Sequence, residues 1–263
     1  MVATTDPTHS APARGVGEAA RLALGVPVAL VFGVVALVRR ARALHPVGVA
    51  FWATFTLDGP AAGSVPELGP PGTSRPGVVR LSRGGGFPED WPDIHGIALE
   101  LTPSSHAAGD GRSGREQDLL WSSAGRSRLG RRLLRPSRSF DGLWATSLTS
   151  FAAGGRTVVW AAEVLPAGAG GSGAPAGGPL TVEALQADPG RAPAIAVLVA
   201  TSSGPWERVG TIVPGARLSP EEEEALAFSP WDNGDGIVPV GPLNQLRDAA
   251  YRASRRARHP RDA

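Results

Sequence analysis

Eight short apolar runs, falling into two groups of four, constrain the fold of this chain most. The first group spans residues 47–57, 78–82, 97–102 and 117–122. The second spans 156–165, 180–187, 194–202 and 206–213. Each is rich in β-branched or aromatic residues with partial alternation, and Gly, Pro and Asp clusters separate them. Two such groups at short spacing predict an antiparallel barrel or sandwich. Residues 104–116 read as a polar loop, and 126–134 as a short basic helix or an irregular crossing. The Gly/Ala/Pro stretch 167–179 reads as a flexible connection rather than a domain boundary. Ser219-Pro220-Glu221 starts a helix, with an N-cap followed by an acidic first turn. After Pro242, helix formers with late arginines predict a C-terminal helix.

The length suits one sizeable domain with appendages. Its division is expected to be a disordered stretch 1–18, an apolar helix 19–41, and a domain 42–263 that ends in helices. Residues 22–38 carry no charge and stop at Arg39-Arg40. That run is slightly short of the roughly 20 residues a spanning helix needs. Two readings stay open. One is a membrane anchor, whose positive flank holds the following domain in the cytoplasm. The other is a helix covering an apolar face of the domain.

Composition removes several classes of function. All 26 basic residues are arginine, and with 24 acidic ones the net charge is only +2. The arginines therefore reflect replacement of lysine, and no nucleic-acid partner is expected. The absence of cysteine excludes disulfides, thiolate metal sites and cysteine nucleophiles, and fits a reducing compartment. No two of the five histidines form an H-x-x-x-H pair, and no nucleophile elbow, Walker loop or dinucleotide glycine pattern occurs. Asp232-Asn233-Gly234-Asp235-Gly236 lacks the spacing of a calcium loop and reads as a turn.

The chemistry concentrates near the C-terminus. On a helix, Arg247 and Tyr251, the sole tyrosine, share a face, and Arg258 returns to it. A guanidinium beside a phenol favours the phenolate, which is an axial ligand for ferric haem iron in catalase. Other motifs agree in order along the chain. Arg42-Ala43-Leu44-His45-Pro46-Val47-Gly48, running on to Phe55, resembles the distal-histidine segment of haem catalases. Arg80-Leu81-Ser82 resembles the family's R-F-S, and Asp93-Ile94-His95-Gly96-Ile97-Ala98 its D-x-R-G-F-A. Ala227-Phe228-Ser229-Pro230 resembles its A-F-S-P. Gln245, Arg247, Tyr251, Arg256 and Arg258 match the spacing of its proximal motif.

The resemblance implies an α+β protein: an eight-stranded antiparallel barrel with peripheral helices and a C-terminal proximal helix, and haem b between barrel wall and helix. It implies that His45 is the distal acid/base, that Ser82 orients its imidazole, and that Tyr251 is the iron ligand, kept ionised by Arg247. Arg42, Arg80 and Arg258 correspond to the arginines that pair with the haem propionates. Ser122 stands where the family has a peroxide-binding asparagine. Trp121 replaces a glycine, which predicts a narrowed or reshaped pocket. Pro46 replaces an alanine, and His95, read as a turn residue, replaces an arginine. The chain lacks the long N-terminal arm, the wrapping segment and the C-terminal helical domain of true catalases. It is therefore most similar to minimal catalase-like haem proteins, whose activities are peroxidase-like. Its expected substrates are hydrogen peroxide and organic hydroperoxides, used with an unidentified electron donor, with a membrane surface and self-association as further open expectations. A haem-free binding or structural protein of the same fold is the alternative.

Overall fold

Alternation makes each apolar run a strand with one face for a core. The computed structural model describes residues 47–84, 91–102, 116–166, 178–234, 236–241 and 244. All of these belong to one compact unit. Among them are ten strands: β1 (Val47–Thr56), β2 (Ser74–Arg83), β3 (His95–Leu101), β4 (Gln117–Ser123), β5 (Trp144–Thr146), β6 (Ser150–Ala153), β7 (Arg156–Val164), β8 (Ile195–Thr201), β9 (Glu207–Arg217) and β10 (Val238–Val240). Two α-helices accompany them, α1 (Val182–Ala187) and α2 (Pro220–Ala225). β1, β2, β3, β4, β5, β7, β8 and β9 pair in that order, and β9 pairs back with β1. The result is a closed antiparallel barrel of eight strands, which leaves no exposed edge in the ring. β6 pairs with β7 beyond β5, and β10 pairs with β6.

The barrel interior is the core. Phe51, Phe55, Leu81, Ile97, Trp121 and Trp160 point inward and are buried. Each large apolar side chain removed from water contributes about 1.5–3 kcal/mol. Close packing appears at Gly210, where an added Cβ would stand 2.2 Å from the Thr56 carbonyl oxygen. There β9 bulges against β8, between Val197 and Leu198. The β6–β7 hairpin turns on Gly154 and Gly155, with φ of 56° and 67°. A two-residue type I′ turn needs positive φ at both positions.

The fold corrects one sequence expectation. Residues 180–187 are not a strand. Thr181 accepts a hydrogen bond from Ala184 N at 3.2 Å and caps α1, and Val182 and Leu185 bury three residues apart on one face. A helical period over so short a segment passes for partial alternation. The eighth barrel strand is instead β5, three residues long and too brief to show any period. Residues 126–134 form the irregular crossing, with a 3-10 turn at Gly130–Arg132 and a bridge from Leu134 to Ala124. The helix predicted at Ser219 is α2, with a capping box between Ser219 and Glu222. The predicted C-terminal helix and the run 22–38 lie outside the described residues. Among the described residues no helix is long and apolar enough to cross a membrane.

Candidate functional site

Strand register builds a wall on the outside of the barrel. Gly48, Ser82, Gly96, Ser122 and Thr146 face one another across β1 to β5. The next outward row is Ala50, Arg80, Ala98 and Leu120. Because successive side chains alternate between faces, these residues share the surface opposite the core. With glycine or alanine at the β1 and β3 positions of both rows, the wall is low. Ser82 is buried, and its hydroxyl donates to the Gly96 carbonyl at 3.3 Å. Ser122 is half-buried, two strands away across Gly96.

Arg80 lies flat along this wall. A Cβ on Gly48 would come within 2.5 Å of Arg80 Nη2, so the glycine makes the space the guanidinium occupies. Its Nε donates to Glu223 Oε1 of α2 at 3.2 Å, and the two side chains are 19% and 17% exposed. Nothing in the sequence around Glu223 marks it for this site, since Glu221, Glu222, Glu223 and Glu224 form one acidic run. Arg80, Ser82 and Ser122 are thus brought onto one face. Arg42, His45, Arg247, Tyr251 and Arg258 lie outside the described residues.

Two expectations change. Trp121 does not narrow this face, because it points into the barrel core, opposite Ser122. His95 is not a turn residue: it begins β3 on the inward face and is buried. Its Nδ1–H donates to the Asp93 carbonyl at 3.1 Å, and its ring meets Phe140 edge-on at 4.6 Å. Burial lowers its pKa, against the opposing pull of the Asp93 carbonyl. Beside it Arg83 pairs with Asp93 and with Glu183 of α1, so this polar cluster belongs to the mouth of the barrel rather than to the wall. Trp144 is a further buried indole, set edge-on against Trp206, whereas Trp52 is exposed.

A loop closes over the outer face of β4. Phe228 packs against Ala50, Val78 and Leu218. Asp118, on the same face as Ser122, accepts the Ser229 N–H at 2.6 Å, and Asp118 N donates to the Asp232 carbonyl. Gly234 N donates to the Glu116 carbonyl. Burial pushes the Asp118 carboxyl up to about 8, opposed by the Ser229 N–H and reinforced by Glu100, Asp232 and Glu116. The loop therefore ties Ala227-Phe228-Ser229-Pro230 to the wall through a buried carboxyl whose pKa burial raises. Among the described residues no group of three or more His, Cys, Asp or Glu side chains could hold a metal ion.

No protein-family model and no curated protein matches the sequence. Solved structures do. Catalase A from Saccharomyces cerevisiae superposes with a TM-score of 0.50 at 12% identity, over 98% of this chain and 67% of the yeast protein. The chain has the catalase fold. A bacterial catalase matches with a TM-score of 0.50 at 15% identity, over 97% of this chain and 63% of its own. A fungal catalase gives 0.50 at 11% identity, over 98% and 66%. The chain thus spans about two thirds of the length of these catalases, and at such identities the likeness is one of fold.

Proposed function

We propose that this catalase-fold protein binds haem b against the outer wall of β1 to β4 and uses hydrogen peroxide or organic hydroperoxides in a peroxidase-like reaction. The observation that carries the reading is the wall itself: a low row of Gly48, Ser82, Gly96 and Ser122, with a guanidinium laid beside it. These residues fit a flat acidic group. Small side chains let a ring approach the sheet, and Arg80 supplies a fork for a propionate. Arg42 and Arg258 would pair with the propionates as well, and Tyr251 would ligate the iron as a phenolate beside Arg247. Bound there, haem would supply the redox-active iron at which the O–O bond is cleaved.

The chain's own residues would move the protons. His45 would accept a proton from the incoming peroxide oxygen and return it to the leaving oxygen, with Ser82 holding the imidazole. Ser122 has one short hydroxyl where the resemblance leads one to expect a longer amide. Its weaker hold on a second peroxide favours oxidation of an external donor over disproportionation. A second reading, a haem-free binding protein of the same fold, draws on the Arg80–Glu223 pair, since that guanidinium already has a carboxylate partner.

The test is spectroscopic. Purified protein reconstituted with haem should show a Soret band, and Tyr251→Phe should lose most of its haem. Arg247→Leu should keep the ligand but need higher pH to ligate, because the charge favouring the phenolate is gone. A ferric spectrum unchanged in Tyr251→Phe would sink the assigned ligation, and no Soret band in the parent would leave the haem-free reading.

The uncharged run 22–38 before Arg39 and Arg40 motivates a cytoplasmic domain anchored to the membrane. Deleting residues 1–38 should shift the protein from the membrane fraction to the soluble one with its spectrum retained. Aggregation of the truncated protein would favour a helix that covers the domain.

A further inference from the structure

We propose that Glu223 is a built-in carboxylate that holds Arg80 and gives it up to a propionate when haem binds, so that α2 sets the affinity of the wall for an acidic ligand. This rests on the haem reading above. Three observations carry it. First, Arg80 is fixed in place: its guanidinium fills the space over Gly48, at an edge of the row that includes Ser82. Second, the carboxylate that meets it comes from 143 residues along the chain, on a separate helix rather than on the wall. Third, α2 divides its acids by task. Glu222 turns back to accept the Ser219 N–H and completes the capping box, whereas Glu223 reaches Arg80.

Competition follows from charge and geometry. A carboxylate at 3.2 Å from Nε occupies one side of the guanidinium fork and neutralises its charge. A propionate arriving at the same arginine meets Glu223 as a like charge, in a place where both side chains are more than four-fifths withdrawn from water. Binding an acid there must either displace Glu223 or carry the repulsion, and either route weakens it. An uncharged ligand on the same wall escapes this opposition.

The experiment titrates full-length apoprotein with haem and with haem dimethyl ester, whose propionates carry no charge, and follows the Soret band. Glu223→Gln should bind haem about three- to tenfold more tightly than the parent, the range of one largely buried charge pair that still touches water. It should bind the ester as the parent does. In an Arg80→Gln background the gain should vanish, because Glu223 acts through that arginine. Glu223→Asp, with its carboxylate withdrawn by one methylene, should give a smaller gain and guards against loss of fold in the amide variant. Equal or weaker haem binding by both Glu223 variants, with a normal Soret band in the parent, would overturn the inference and leave the haem reading standing. Absence of a Soret band in every protein would overturn both.

Discussion

His45→Ala should lower hydroperoxide turnover about 10²–10⁴-fold while the Soret band persists, the loss expected when a positioned acid/base is removed. His45 stands two positions before Val47, the first residue of β1, and lies outside the described residues. Val47 adjoins the Gly48–Ser82 end of the wall, where the serine hydroxyl and the Arg80 guanidinium lie. The measurement is steady-state oxidation of a reducing dye by an organic hydroperoxide, on protein whose haem content is matched by absorbance. Turnover within twofold of the parent, at equal haem, would remove His45 from the chemistry.

The barrel could be read from the sequence because its strands carry their instructions locally. Alternation in β1 to β4 and in β7 to β9 needs no distant partner to be seen. β5 is only three residues long and is a strand because Trp144, Ala145 and Thr146 have β4 on one side and β7 on the other. Helix α1 hid for the opposite reason: Val182 and Leu185 fit a helix only because the core lies beneath one face. The wall was half legible. Ser82 and Ser122 could be named from their motifs, but their alignment across Gly96 is a property of register. Trp121 shows the limit of reading a motif position by position: its neighbour faces the wall, and the pleat turns the indole into the core. Glu223 and Asp118 left no local sign at all. One depends on a partner 143 residues away, the other on Ser229, 111 residues along the chain.

Asp118→Asn should stabilise the protein above acid pH, and by more as the pH rises. Burial raises the carboxyl to about 8 from an ordinary value of 3.8, and Glu100, Asp232 and Glu116 add like-charge repulsion from β3, from the closing loop and from the residue before β4. The folded state therefore binds the proton more tightly than the unfolded state. Stability is full below about pH 4 and is lost progressively as pH rises toward 8, because there the unfolded chain ionises first. Asparagine keeps a carbonyl oxygen for the Ser229 N–H and has no charge to bury. Asp118 Oδ1 has no hydrogen-bond partner among the described residues, so an amide group there breaks no bond. The gain at pH 7 should be about 2–4 kcal/mol. For a domain of this size that is roughly 5–15 °C in Tm. Denaturant melts of both proteins across pH 4 to 9 provide the check. The curves should converge near pH 4, separate up to about pH 8 and run parallel beyond it. A difference that vanishes at pH 8, or that grows toward acid, would mean that Asp118 is ionised in the folded state and that its charge is part of what holds the loop.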